Sequence, residues 1–212
     1  MDDKRLNDLL RWSIENSESS KNDETAPPPQ TQLTPEILAA IQGGPSDADL
    51  MRASMEIITS PDSEVTLENK LIAFDNFEQL IEGLDNANNM ANLNLWSPLL
   101  EQLQHPEDEI RKMASWCIGT AVQNNVKTQE RLLAAGGIKP LVELAVGAEH
   151  PEAVRRKAIY ALSSACRNYQ PALDTTVEHL VAAGHPTQTC DATEMEQVDK
   201  IINGLREKAK AT

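Results

Sequence analysis

The sequence predicts an all-α fold, a helical solenoid, on three observations. First, the chain repeats itself about every 44 residues, the spacing of armadillo and HEAT units. His105-Pro106-Glu107 opens a helix-like run ending at Asn124, and His150-Pro151-Glu152 opens a matching run ending at Asn168. Ala114 answers to Ala158, Trp116 to Tyr160, Ile118 to Leu162 and Ala121 to Ala165, and the pairs Pro98-Leu99 and Pro140-Leu141 recur at a spacing of about 40 residues. Second, only 3% of residues are aromatic and Leu and Ala dominate the apolar set, which suits helix-on-helix packing better than sheets. Third, no segment reads as a strand. The fold class is therefore all-α, an armadillo-like helical solenoid with helical caps.

The elements follow in order. Lys4 to about Asn16 is amphipathic, with Leu6, Leu9, Leu10 and Ile14 on one stripe and Trp12 at its edge, so residues 1–17 read as an N-terminal helix. Residues 18–33, rich in Ser, Asn, Asp and Glu and carrying Pro27-Pro28-Pro29, bury too little apolar surface to offset ordering and read as a flexible linker. The repeat domain is expected over 34–184. Thr34-Pro35 caps and opens a short helix that Gly43-Gly44-Pro45 closes, and Ser46 caps the next, which runs to about Thr59. One long helix is then expected from Leu67 to Leu84, apolar around much of its circumference. Asp85-Asn86-Ala87-Asn88-Asn89 reads as its stop, because Asn and Asp tolerate left-handed backbone and bond to their own main chain.

Further helices are expected from Ser97 to Gln104, Glu107 to Asn124, Lys127 to Ala135, Ile138 to Val146, Glu152 to Tyr169 and Ala172 to Ala183, with Gly136-Gly137 and Gly184 as stops. Three units are about the minimum for a shared core, so the ends need covers. Residues 34–60 are assigned to one end. Residues 185–212, a loop and a helix from Glu194 to about Lys208 with Met195, Val198, Ile201, Ile202 and Leu205 on one face, are assigned to the other.

Charge narrows the function classes. The net charge is −14, a poor basis for wrapping nucleic acid or adhering to anionic membranes. Positions 1–110 carry 6 basic and 22 acidic residues, whereas 111–170 carry 9 basic and 4 acidic. Two readings of this asymmetry stand: an unevenly charged solvated surface, or a polarised solenoid that orients its partner. Three cysteines without a CxxC pair support neither a disulfide framework nor a zinc site, and Cys117 and Cys166 read as small core hydrophobes. The start MDDKRLNDLL lacks the apolar stretch of a signal peptide, no run approaches spanning length, and AKAT is not a retention signal, so a cytoplasmic protein is expected.

No catalytic or cofactor constellation emerges. Phosphate-cradling glycine loops, zinc-protease helices and GxSxG elbows are missing from the sequence. His105 and His150 occupy equivalent turns before proline, and His179 and His185 have no companions at ligand spacing. The Asp85–Asn89 stretch lacks the spacing of a calcium loop. A binding protein without metal or cofactor is expected, using a solenoid face.

AFDNFEQLIEGLDNANN (73–89), LLRWSIENS (9–17), LWSPLL (95–100) and GTAVQNN (119–125) together resemble the fungal Fes/Hsp-binding-protein family, armadillo-type nucleotide exchange factors of the cytosolic heat-shock 70 chaperone. The resemblance covers roughly residues 4–170. It implies that a concave face embraces one lobe of the chaperone's ATPase domain and, by conflict with the other lobe, opens the cleft so that ADP leaves. The partner implied is that ATPase domain, bound by a monomer, with no nucleic acid or membrane involved.

On this resemblance the partner-binding residues are Glu82, Asp85, Asn86, Ala87, Asn88 and Asn89, then Asn124, Asn125 and Asn168 at later turns. Ala87 is expected on an exposed surface that a partner approaches closely, so that Ala87→Arg should abolish binding and leave the helices intact. Asn124 and Asn168 have a second reading, as residues that tie helix ends. The stripe Leu6, Leu9, Leu10 and Trp12 is a candidate for entering the chaperone's peptide groove and promoting client release, against the alternative of a solubilising tail. The competing function is a passive armadillo adaptor with no effect on nucleotide kinetics; an importin-like Trp and Asn ladder is not expected, since Tyr160 stands where Trp116 would recur.

Overall fold

The computed structural model describes residues 45–210. The segment 1–17 with Leu6, Leu9, Leu10 and Trp12, the linker 18–33 and the expected helix at Thr34-Pro35 lie outside the described residues. Within the unit Asp47–Thr212, the α-helices are α1 (Asp47–Thr59), α2 (Leu67–Ile81), α3 (Leu84–Asn89), α4 (Trp96–Glu101), α5 (Asp108–Ala121), α6 (Val126–Ala134), α7 (Ile138–Val146), α8 (Glu152–Cys166), α9 (Gln170–Ala182) and α10 (Met195–Lys210). A 3₁₀ turn, Gln102–Gln104, extends α4. Among the described residues there is no strand.

Five helices make a ladder. α1 packs on α2, α2 on α5, α5 on α8 and α8 on α10. α3, α6 and α9 contact one another in the same order as a second row, while α4 with its 3₁₀ turn supports α5 and α7 supports α8. The units are therefore α3–α4–α5 and α6–α7–α8, followed by α9, a loop, and α10 in the place of a third helix.

The period in sequence is a period in backbone. Asn124 and Asn168 have φ of 52° and 57°, left-handed values that asparagine tolerates better than most residues. The next residues, Asn125 (φ −133°, ψ 93°) and Tyr169 (φ −138°, ψ 91°), cap α6 and α9 in nearly the same conformation. The second row ends with equal regularity at Asn94 (φ 57°), Gly136 (φ 73°) and Gly184 (φ 80°). There the N–H groups of Leu95, Gly137 and His185 donate to the carbonyls of Met90 (3.0 Å), Leu132 (3.0 Å) and Leu180 (2.9 Å). This wrapped-back bond satisfies carbonyls that a helix end leaves open.

Small residues set the ladder spacing. Ala114, Ile118 and Ala121 of α5 and their counterparts Ala158, Leu162 and Ala165 of α8 are all buried. A Cβ added at Gly119 would lie 3.1 Å from Ala161 Cα and 2.5 Å from the Tyr160 ring, so only glycine permits this approach. Phe74 and Phe77 fill the core beneath α2 with no exposed surface, each contributing about 1.5–3 kcal/mol by burial.

One expected element is wrong. The long helix to Leu84 stops at Ile81, and Asp85–Asn89 is not a stop but most of α3. Gly83, extended at φ −68° and ψ 124°, turns the chain between the two helices. Asn86 then serves the helix before it: its Nδ2 donates to the Leu80 carbonyl at 2.9 Å and to Asp47 Oδ2 at 2.8 Å. Asp85 sits in the first turn of α3, where its charge suits the amide end of a helix.

α10 is fastened from several sides. Val198, Ile202, Leu205 and Ala209 are buried, Arg167 pairs with Asp199, and the buried Arg155 donates through Nη2 to the Lys208 carbonyl at 2.7 Å. The preceding loop is pinned as well. Asn168 N–H donates to the Ala192 carbonyl at 2.9 Å, Ala192 N–H to Gln170 Oε1 at 2.8 Å, and Thr189 Oγ1 to Asp174 at 2.6 Å.

Candidate partner-binding site

The outward side of the ladder carries three adjoining hollows. The central one, about 500 Å³, is lined by Glu78, Glu82, Trp116, Thr120, Gln123, Asn124 and Tyr160. A larger one, about 1070 Å³, begins at Tyr160 and is lined by Lys112, Glu152, Ala153, Arg156, Lys157, Asn203, Arg206, Glu207 and Lys210. A third, about 280 Å³, joins them through Gln123, Asn124, Tyr160, Ser163, Ser164, Arg167 and Arg206. The hollows follow the helix period: Lys112, Trp116 and Thr120 stand one turn apart on α5, and Arg156, Tyr160 and Ser164 occupy the same stations on α8.

The site is held rigid by bonds between ladder helices. Thr120 Oγ1 donates to Glu78 Oε1 at 2.6 Å, joining α5 to α2. Tyr160 donates to Gln123 Oε1 at 3.2 Å, joining α8 to the end of α5. Lys157 lays its ammonium 4.2 Å from the Trp116 ring centroid and 5.7 Å from that of Tyr160, within the range of cation–π attraction. Burial pulls the Lys157 ammonium below the usual lysine range; Glu78 opposes that shift and Lys112 adds to it. The face is also graded in charge, from Glu78 and Glu82 at α2 to five cations and two carboxylates around the large hollow.

The residues singled out from sequence divide. Glu82 and Asn124 line the central hollow. Asn88 and Asn125 meet, Asn125 Nδ2 donating to Asn88 Oδ1 at 3.2 Å, and this bond ties α3 to the start of α6. Asp85 is exposed on α3, and Asn89 accepts from Asn92 Nδ2 at 3.1 Å. Asn168 is exposed but lies at the α8–α9 turn, where its main chain holds the 185–194 loop.

Ala87 requires correction. It is 2% exposed and belongs to the core, so its methyl packs within this chain and offers no surface. Asn125, at 6% exposed, is also withdrawn from the surface.

Sequence reasoning did not single out Glu78, Trp116, Lys157, Tyr160 and Arg206, which line these hollows. A signal was present: the period that matches Trp116 to Tyr160 also matches Lys112 to Arg156, and two residues one turn apart that recur together mark a repeated face. Among the described residues, no cluster of three His, Cys, Asp or Glu side chains could hold a metal ion, and no helix is long and apolar enough to cross a membrane.

Two family models together match residues 6–181. The model described as nucleotide exchange factor Fes1 matches residues 6–90, and that of the SIL1/FES1/HPBP1 C-terminal domain matches residues 86–181. A relative in Gibberella zeae, named Hsp70 nucleotide exchange factor FES1, is 68% identical over 209 residues that span 98% of both chains. This chain belongs to the Fes1 family. The Neurospora crassa member, Hsp70 nucleotide exchange factor fes-1, is 50% identical with 99% of both chains covered. The Saccharomyces cerevisiae FES1 is 47% identical over 165 residues, 76% of this chain and 56% of that longer one. Among solved structures, an engineered protein matches with a TM-score of 0.53 at 19% identity, covering 96% of this chain and 79% of the other, a likeness of fold alone. α10 begins beyond the last residue that either Fes1-family model matches.

Proposed function

We propose that this Fes1-family chain is a nucleotide exchange factor for a cytosolic Hsp70, and that its ladder face grips one lobe of the chaperone's ATPase domain. The observation that carries this reading is the end-to-end likeness to a relative named Hsp70 nucleotide exchange factor. The contact is centred on Trp116, Lys157 and Tyr160, flanked by Glu78, Glu82 and Asn124. Aromatic side chains on a rigid scaffold supply binding energy at low entropic cost. The protein acts as a cytoplasmic monomer and by binding alone, with no bond made or broken on its own side chains.

Grip becomes exchange through linkage. The chain favours the open, nucleotide-poor ATPase domain over the closed one, so nucleotide must weaken the grip by the same factor by which the grip weakens nucleotide. A 100-fold faster ADP release requires about 2.7 kcal/mol of preferential stabilisation of the release transition state. The test is calorimetric titration of the isolated ATPase domain with the full chain, with and without saturating ADP. Tight binding that ADP weakens at least tenfold is expected; affinity indifferent to ADP belongs to the passive adaptor and would end this reading.

A further inference from the structure

We infer that α10 is a partner-contacting helix whose basic stripe, continued by Arg156 and Lys112, receives a carboxylate-rich surface of the bound chaperone domain. The inference rests on the exchange-factor reading and goes beyond it, because α10 lies past the residues matched by both family models.

Position is the first argument. A lid needs only an apolar face, which α10 has in Val198, Ile202, Leu205 and Ala209. Yet α10 packs on α8 as α8 packs on α5 and stands where a third helix of another unit would stand. Its opposite stripe, Asn203, Arg206, Glu207 and Lys210, repeats at helical spacing and forms one wall of the large hollow. The ion pair of Arg167 with Asp199 and the bond from Arg155 to the Lys208 carbonyl hold that stripe in place.

Charge is the second. In a chain of net charge −14, this hollow gathers Lys112, Arg156, Lys157, Arg206 and Lys210 against Glu152 and Glu207. Glu152 pairs with Arg156 at 3.3 Å, Glu207 with Lys210 at 2.8 Å, and Lys112 with Glu109 outside the hollow, each along one helix, and the lining residues still carry a net charge of +3. Arg206 donates to a neutral acceptor, Asn203 Oδ1, at 3.0 Å and keeps its full charge for a partner. A local basic patch within an acidic protein fixes orientation, since it attracts carboxylates while the remaining surface repels them. The same repulsion disfavours a nucleic acid, whose charge extends far past the patch.

The experiment compares the full-length wild type, Arg206→Glu/Lys210→Glu, and Lys200→Glu, an exposed α10 residue that does not line the hollow. Affinity for the Hsp70 ATPase domain and the ADP-release rate are measured at ~50 and ~300 mM salt, a range over which the screening length falls by more than half. The double variant should bind roughly tenfold more weakly at low salt and lose most of its salt dependence, while Lys200→Glu matches the wild type. Thermal melts check folding, and Arg206→Gln/Lys210→Gln, which adds no carboxylate, should retain the wild-type melt and bind about threefold more weakly.

Wild-type affinity in either double variant, or equal loss in Lys200→Glu, overturns the inference. A wild-type protein that accelerates ADP release beside an equally active double variant removes only the role of α10. A wild-type protein that neither binds nor accelerates removes the exchange-factor reading as well. Single-stranded DNA held by the wild type and lost by the double variant, with chaperone affinity unchanged, assigns the patch to nucleic acid and also overturns it.

Discussion

Lys157 of α8 places its ammonium 4.2 Å from the ring centroid of Trp116 on α5, so a cation and an indole from successive units form one surface. The pair joins packing between units to exposure at the central and large hollows. Trp116→Ala removes the largest apolar group of this face and should weaken Hsp70 affinity roughly 30-fold, about 2 kcal/mol, with a small change in melting temperature. Lys157→Met keeps the stem and loses the charge, for about 0.5–1 kcal/mol. Calorimetry on both variants checks these values, and undiminished affinity in Trp116→Ala would remove the central hollow from the contact.

Gly119→Ala tests the ladder spacing. The added methyl would stand 2.5 Å from the Tyr160 ring and 3.1 Å from the Ala161 main chain, so Tyr160 must swing away and α5 and α8 must separate. We expect a loss of about 1–3 kcal/mol in urea unfolding, as for other overpacked contacts. Binding should fall with it, because Tyr160 is both the obstacle and part of the face.

Ala87→Arg separates surface from core. At a position only 2% exposed, an arginine must bury its charge or displace α3, at a cost above about 3 kcal/mol. Chaperone binding should be lost together with a clear drop in melting temperature. Glu82→Lys, exposed on the same segment, should weaken binding without that drop. An Ala87→Arg protein that melts like the wild type would show that this methyl reaches the surface.

Gln129 fastens the first helix of a unit, α6, to its third, α8, from inside. Its Nε2 donates to the carbonyls of Ser164 at 2.9 Å and Arg167 at 3.0 Å, and the residue is 1% exposed. Gln129→Leu leaves those carbonyls without this donor and should cost about 1–3 kcal/mol in chemical unfolding. Gln129→Glu should cost more, since it also buries a charge facing two carbonyl oxygens.

The thiols report on the same core. Burial pushes the Cys166 thiol up to about 12 and the Cys117 thiol well above its ordinary range, while Cys190 is raised less and is partly exposed. Because a raised pKa favours the neutral folded form, these groups support the fold at neutral pH, and their contribution fades above the ordinary thiol pKa of about 8.5. Alkylation at pH 8 followed by mass spectrometry should find Cys190 modified first in native protein and all three residues modified in urea. Rapid native labelling of Cys117 would contradict the packing of α5.

Much of the fold was legible because it repeats. A feature that recurs, such as Asn124 with Asn168 or Ala114 with Ala158, distinguishes architecture from accident, and both pairs carry matching backbone or burial. Asp85–Asn89 misled because asparagine suits the end of one helix and the start of the next equally well. Gly83, two residues earlier, had already made the turn. The site was less legible for a related reason. Turn residues such as Asn125 and Asn168 look available in sequence, yet they are consumed in joining units, whereas Trp116 and Tyr160 look like core until the ladder shows that, half-buried, they line the hollows.

Release of fluorescent ADP from a cytosolic Hsp70, followed by stopped flow over a range of concentrations of this protein, tests the central claim most directly. The account predicts saturable acceleration of about 100-fold or more by the wild type, and a markedly higher half-saturating concentration for Trp116→Ala. Saturated binding with an unchanged release rate, or full acceleration by Trp116→Ala at the wild-type half-saturating concentration, would contradict it.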